Sequence, residues 1–467
     1  MTTKERLRQG ALLAILFLIP CGAVGLVDPT EARYAEIARE MVATRDFLIP
    51  RLDGLTHLAK PPGAYWALAP GIAVFGANEW GARIPVVLAA LLVLALTAHM
   101  ARLLGREPSL SVWILAATPL FFVLFHLASA DVFLAAAVAG FHAAYLDPRH
   151  RRGLLPFVAL AAGFVIKGPV VLVTTVLPVL GAAAWSKRGD ALVPLGNLRG
   201  WLLFAVLALP WYLVLVGRMP GLFDHLLRHE MWDRFATTAH HRSGAPYYFF
   251  AMLALGALPW TPFVVRGIAR GLRERGDFES ATVAAWIVLP LVFFSFSGSK
   301  LPGYVLPVAP ALALGAARGG IGARARLAAM ALVVVFAAVP FLVGDIRAGS
   351  VRPIARYLKE RNVPPSQVYE CGPFFAGLPF YMEGTVGLLD VQRDTLFATP
   401  AERAQAFRAL PAEWVLAAGP FWVYGDEAQA RRRIAEAGLS AEVALRWGRW
   451  ALLKAAPTIP RLYRKGT

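Results

Sequence analysis

Ionisable side chains gather at the ends of apolar runs in this sequence: Asp28, Glu31 and Arg33 after the first run, then Lys60, Asp131, Lys167, Arg234, His240, His241, Arg242 and Lys300. Cations of this kind can hold a phosphate-bearing headgroup and stabilise a phosphate as it leaves. A carboxylate within reach can take the proton of an attacking hydroxyl or amine. Asp28, Glu31 and Asp131 are the acids placed for that role. Each residue alone has a plainer explanation. Asp131 opens a long apolar helix in HLASADVFLAAAV and could act only as its cap. Lys167 in FVIKGPVV and Lys300 in SGSK could snorkel to lipid headgroups, and the adjacent His240–His241 pair lacks the convergent spacing of a metal site. The joint pattern, several cations and three acids on one membrane face, favours a reacting site.

Such residues need a frame. The chain has 467 residues, 57% apolar and only 16% charged, with Gly (41) and Pro (34) plentiful inside the apolar runs. Soluble domains carry roughly 25% charged residues. Apolar runs fall near 10–27, 82–104, 110–127, 130–146, 154–167, 169–186, 200–217, 247–266, 282–297, 302–318 and 325–344. They predict about eleven spans, since roughly 20 apolar residues cross a bilayer as a helix. The first run has the charged start of a signal peptide but no clean small-residue cleavage site, and reads as a retained span. With the N-terminus inside, the loops TTKERLR, RLLGREP, DPRHRRG, WSKRGD through LRG, VRGIARGLRERGD and ARGGIGARAR all fall inside, and all are basic. The net charge of +17 is thereby explained by topology, and no nucleic-acid partner is needed.

The ionisable residues above fall on the other face, with segments 28–81 and 218–246. Residues 30–44 have helical spacing with apolar and charged faces, which predicts a helix lying in the interface. From 345 onward the composition changes: RPIARYLKER, SQVYEC, EWVLAAG, DEAQARRRIAEAG and two strand-like runs around 441–454 predict a small soluble α/β domain. Cys21 and Cys371 are the two cysteines, too few and too far apart for a disulfide framework or a cysteine metal site.

The motifs EARYAEIAREM, PRLDGLTHLAKPPGAYW, FGANEWGARIP, IKGPV and SKLPGYVLPVAPALAL, with the RF…HHR…PYYF run between the last two, occur in that order. They resemble the bacterial lipid-linked sugar transferases of the aminoarabinose-transferase and protein O-mannosyltransferase superfamily, over most of 26–320. The resemblance implies a GT-C glycosyltransferase fold in an α-helical polytopic membrane protein. It also implies a polyprenyl-phosphate sugar donor and a periplasmic acceptor. By position it carries Glu31, Arg33 and Tyr34 over as the acidic motif, Asp131 as the second acid, Lys60 as the lysine on the donor phosphate, and Lys167, Arg234 and Tyr304 as cavity residues. The sequence departs from the family in three places: Thr30 stands where an Asp is usual, Ala59 where an acid precedes the KPP lysine, and Met231 where a His is usual. The last two departures remove side chains that bind a metal in relatives, so no metal and no cofactor is expected.

These readings converge on an inverting glycosyltransferase of the bacterial inner membrane. It would move a sugar from a polyprenyl phosphate to a periplasmic cell-envelope acceptor, whether lipid A, another glycan or a protein. Asp28, Glu31 and Asp131 supply the base, and Arg33, Tyr34, Lys60, Lys167, Arg234, Arg242, Lys300 and Tyr304 line the donor cavity. Residues 1–344 form the membrane domain with periplasmic loop 28–81, and 345–467 the periplasmic α/β domain. The protein is expected to be a monomer. The rival, a transporter or flippase of a lipid-linked saccharide, needs intramembrane charges too. It usually shows paired halves with broken helices at the midplane, and no paired halves are evident here.

Overall fold

A computed structural model describes residues 3–228, 244–274, 276–321, 324–345, 349–393, 396–407 and 420–457. The chain forms two compact units: residues 1–23, 59–67 and 83–342 in one, and 24–58, 68–82 and 343–467 in the other.

The first unit is helical. Its helices include α1 (Thr3–Leu18), α3 (Gly63–Phe75, whose first turn lies in this unit), α4 (Glu79–Leu103), α5 (Pro108–Ala116), α6 (Ala130–Leu146), α7 (Leu155–Lys167) and α8 (Phe278–Ser295). Among the described residues, α4, α8 and Arg324–Val343 are long and apolar enough to cross a bilayer singly, and two bent helix pairs raise the number to five. The sequence expectation of about eleven counted apolar runs. Several of those runs are cut into shorter helices, most often at a proline, which has no N–H to donate to the preceding turn. The run at 110–127 breaks before Pro119 and that at 200–217 before Pro210, while 247–266 becomes Tyr248–Gly256 and Thr261–Arg273, bent by 117° around Pro259.

The short 147–154 connection turns α7 back along α6, so the start of one lies beside the end of the other. At the far end of α6, Asp147 holds the N–H of Arg149 at 3.0 Å and meets His99 of α4 at 3.4 Å.

The second unit joins the first loop to the tail. Helix α2 (Thr30–Thr44) forms as its spacing predicts, but its charged face is not open to water. Glu31, Glu36, Arg39 and Glu40 are buried along with Ala32, Ala35, Ile37 and Ala38. The charges are satisfied internally: Arg39 makes a bidentate pair with Glu36 at 2.7 and 2.8 Å, and Glu40 accepts the Gly54 N–H at 3.1 Å. Gly54 belongs to the Asp53–Gly54 turn, both residues at positive φ (54° and 75°), the geometry of a tight hairpin between β1 (Arg51–Leu52) and β2 (Leu55–Thr56).

The tail contributes α9 (Arg352–Lys359), α10 (Gly377–Met382) and α11 (Glu427–Glu436) with a mixed sheet. Among the described residues its strands are β3 (Val368–Cys371), β4 (Gly387–Leu389), β5 (Phe421–Asp426), β6 (Leu439–Trp447) and β7 (Trp450–Pro457), in the order β4-β3-β5-β7-β6. The β3 strand runs parallel to β4 and β5, and the β6–β7 hairpin adds antiparallel. Tyr369, Cys371, Val423 and Leu453 pack under Ala430 and Ile434 of α11 as the core. EWVLAAG, expected in this domain, lies outside the described residues.

A polar chain ties the first loop to the tail inside this unit. Asp345 accepts the Gly25 N–H at 2.8 Å and pairs with Arg352 at 2.6 Å. Arg352 reaches Glu79 at 3.2 Å, Glu79 accepts the Tyr381 hydroxyl at 2.7 Å, and that hydroxyl accepts the Leu26 N–H at 2.7 Å.

Candidate active site

In the helical unit, the antiparallel packing of α6 and α7 brings Asp131 and Lys167 into an ion pair. Asp131 sits in the first turn of α6 and Lys167 in the last turn of α7, so each charge also complements its own helix dipole. The pair is half-buried, with side chains 21% and 12% exposed. The Lys167 ammonium lies 4.7 Å from the centre of the Tyr304 ring, a cation–π contact. Tyr304 stands on the 3-10 turn Pro302–Val308, with its ring 5.4 Å from Phe294 and 6.1 Å from Phe249. Lys300 lies 5.9 Å from the Phe249 ring and donates to the carbonyls of Ser295 (3.0 Å) and Ser297 (2.7 Å).

Two glycines allow this packing. A Cβ on Gly303 would lie 2.7 Å from Asp131 Cγ, so the Pro302–Val308 turn can press on the carboxylate only without a side chain there. A Cβ on Gly63 would lie 2.7 Å from the carbonyl oxygen of Val165. That close approach sets the start of α3 against the last turn of α7. Lys60, three residues earlier, is thus held within about 11 Å of Gly63 by chain length alone.

In the second unit, Asp28 is half-buried, and its carboxylate accepts the Gly377 N–H at 3.2 and 3.3 Å. Burial raises its pKa to about 7, against hydrogen bonds from the Gly377 and Ala376 backbone that pull it down; Glu31 adds to the rise and Arg33 opposes it. Glu31, on the first turn of α2, is buried and accepts the Val27 N–H at 3.0 Å. Tyr34 is buried and Arg33 half-buried on the same helix. Burial also lifts Glu36 and Glu370 well above the ordinary carboxylate range. Glu370 of β3 accepts the Phe375 N–H at 3.0 Å, so it and Asp28 together hold the loop entering α10.

The expected residues thus fall into two groups: Asp131, Lys167, Lys300 and Tyr304 gather in the helical unit with Lys60 nearby, and Asp28, Glu31, Arg33 and Tyr34 in the other. Arg234 and Arg242 lie outside the described residues, as do His240, His241 and the Glu230–Met231 pair. Among the described residues no three of His, Cys, Asp and Glu converge as metal ligands. Sequence reasoning missed Gly303, Phe249 and Phe294; the glycine in SKLPGY was the available signal, and the phenylalanines gave none within apolar runs.

Residues 9–224 match the family described as dolichyl-phosphate-mannose-protein mannosyltransferase. The sequence is 32% identical over 328 residues to an undecaprenyl phosphate-alpha-4-amino-4-deoxy-L-arabinose arabinosyl transferase of Pseudomonas fluorescens, covering 64% of this chain and 56% of that protein. A namesake from Sodalis glossinidius is 35% identical over 322 residues, covering 65% and 57%. The matches therefore span little more than half the length of these relatives. The crystal structure of ArnT from Cupriavidus metallidurans bound to undecaprenyl phosphate superposes with a TM-score of 0.82 at 22% identity, covering 97% of this chain and 98% of that one. The sequence is thus similar to members of the aminoarabinose-transferase and protein O-mannosyltransferase superfamily. The likeness to ArnT establishes the GT-C membrane fold. Asp131 and Lys167 fall within the matched residues 9–224, and Tyr304 lies beyond them.

Proposed function

We propose that the protein is a membrane glycosyltransferase that moves one sugar, with inversion, from a polyprenyl phosphate to an acceptor of the cell envelope. The observation that carries this reading is the half-buried Asp131–Lys167 pair on Tyr304 in a chain similar to that superfamily. An acceptor oxygen or nitrogen attacks the anomeric carbon, and the bond from that carbon to the donor phosphate oxygen breaks. The acceptor proton passes to a carboxylate and the polyprenyl phosphate departs as an anion. Lys167 and Lys60 supply positive charge for that anion, an interaction stronger in the transition state than before it. Asp131 orients Lys167, and an acid of the first loop, Asp28 or Glu31, shares the work of orienting and deprotonating the acceptor. Arg33, Tyr34, Arg234, Arg242, Lys300 and Tyr304 complete the donor cavity.

The names of the relatives support undecaprenyl phosphate as the carrier, and the acceptors to test are lipid A, other glycans and proteins. The same reading places about eleven spans and loop 28–81 in a membrane domain of residues 1–344. The domain 345–467 then lies on the periplasmic side of the inner membrane, and the enzyme acts as a monomer. The test is incubation of purified protein with undecaprenyl-phosphate sugars and envelope acceptors, following release of undecaprenyl phosphate. Release that depends on acceptor, with the sugar recovered on it, is the expected result. Movement of intact donor across a vesicle without release would favour a flippase instead.

A further inference from the structure

A second binding feature lies at the other end of the helical unit. A cleft of about 380 Å³ opens between α1, α4 and α5. Leu13, Leu91, Leu94 and Val112 are among its apolar walls, and Arg6 and Arg102 are its cations. Among the described residues neither guanidinium has an ion-pair or hydrogen-bond partner. The one acid of the lining, Glu107, is engaged, because its carboxylate caps α5 through the N–H groups of Ser109 (3.2 Å) and Leu110. Ser109 in turn donates to Gln9 at 2.7 Å, which fixes the start of α1 beside the start of α5. The cleft is thus apolar along its length, with two uncommitted positive charges among its lining.

Its position excludes the donor phosphate of the reaction proposed above. Arg102 lies one turn past His99, which meets Asp147 at the far end of α6. Asp131 stands in the first turn of this 17-residue helix and Asp147 just past its last residue, about 24 Å apart at the rise of an α-helix. A phosphate beside Arg102 is therefore not the one Lys167 holds. The arginines are carried on segments belonging to the basic loops, where a membrane protein meets anionic headgroups.

We propose that this cleft binds an anionic glycerophospholipid, with its phosphate between Arg6 and Arg102 and an acyl chain along the leucine-lined wall. Arginine is suited to the role because its planar fork matches phosphate oxygens two at a time. The site is separate from the sugar-transfer reading and stands or falls without it.

The test is native mass spectrometry of the full-length protein released from nanodiscs of phosphatidylglycerol or phosphatidylcholine with identical acyl chains. The expected result is selective retention of phosphatidylglycerol. In an Arg6→Ala/Arg102→Ala double variant that selectivity falls on the order of tenfold, while Arg8→Ala on the same helix leaves it intact. Equal retention of both lipids by the wild type, or undiminished selectivity in the double variant, overturns the proposal. So does displacement of phosphatidylglycerol by undecaprenyl phosphate at equal concentration. If the double variant does not insert, a diazirine-tagged phosphatidylglycerol on the wild type decides the matter. Labelled peptides from 91–98 and 108–112 support the site, and labelling only elsewhere overturns it.

Discussion

Lys167 is held from two sides, by the Asp131 carboxylate and by the Tyr304 ring. Held in this way, the lysine presents preorganised positive charge. Replacing it with alanine should lower turnover by about 10²–10³, the usual loss when one preorganised charge stabiliser is removed. The variant should still insert, and a transfer assay beside a membrane-fraction blot checks both. Near-normal transfer would return Lys167 to a lipid-anchoring role. Asp28 offers a test by pH. Its ordinary pKa is 3.8 and its folded value about 7, so between those values the folded state holds a proton that the unfolded state has lost. Its contribution to stability is complete below about pH 4 and falls away as pH rises through 7. Denaturation midpoints of the full chain between pH 4 and 8 should show this decline, and Asp28→Asn should flatten it. If Asp28 is also the base, transfer rises through pH 7 as its carboxyl ionises.

At the scale of elements, the Pro302–Val308 turn presses its glycine onto the Asp131 carboxylate. Gly303→Ala should push that carboxylate away from Lys167 and depress transfer severely, with little change in expression. A normal rate in Gly303→Ala would mean that the pairing is dispensable. The element pattern itself was largely legible. The spacing of residues 30–44 gave α2, the DEAQARRRIAEAG stretch gave α11, and the runs near 441–454 gave the β6–β7 hairpin. Asp131 and Lys167 stood out because charge beside long apolar helices is costly. Their pairing did not, since it depends on antiparallel α6 and α7, and residues 36 apart carry no mark of contact. The interior of α2 misled for a related reason. Periodicity identifies a charged face, but not that Glu36 and Glu40 are buried, the one paired with Arg39 and the other holding the Gly54 N–H.

At the scale of the molecule, the basic loops define an orientation that can be measured. Alkaline phosphatase fused after residue 457 should be active and a cytoplasmic reporter at the same place silent, as alternation of basic loops requires. The opposite pattern would put Lys167 and Asp131 on the wrong side for a periplasmic acceptor.

The polar chain from Gly25 through Asp345, Arg352 and Glu79 to Tyr381 also governs the order of assembly. The Leu26–Tyr381 bond joins residues 355 positions apart. Synthesis at about 5–20 residues per second separates the two by roughly 20–70 seconds. During that interval the first loop has left the ribosome, but the segment that covers α10's side of it does not yet exist. Asp28 has no Gly377 to hold, and Glu79 has no Arg352. The early loop must wait, solvated and incomplete, until the last quarter of the chain arrives. The second unit can therefore close only after synthesis is almost over, and a stop codon anywhere before Arg352 should leave a membrane domain whose first loop never acquires its native hydrogen bonds.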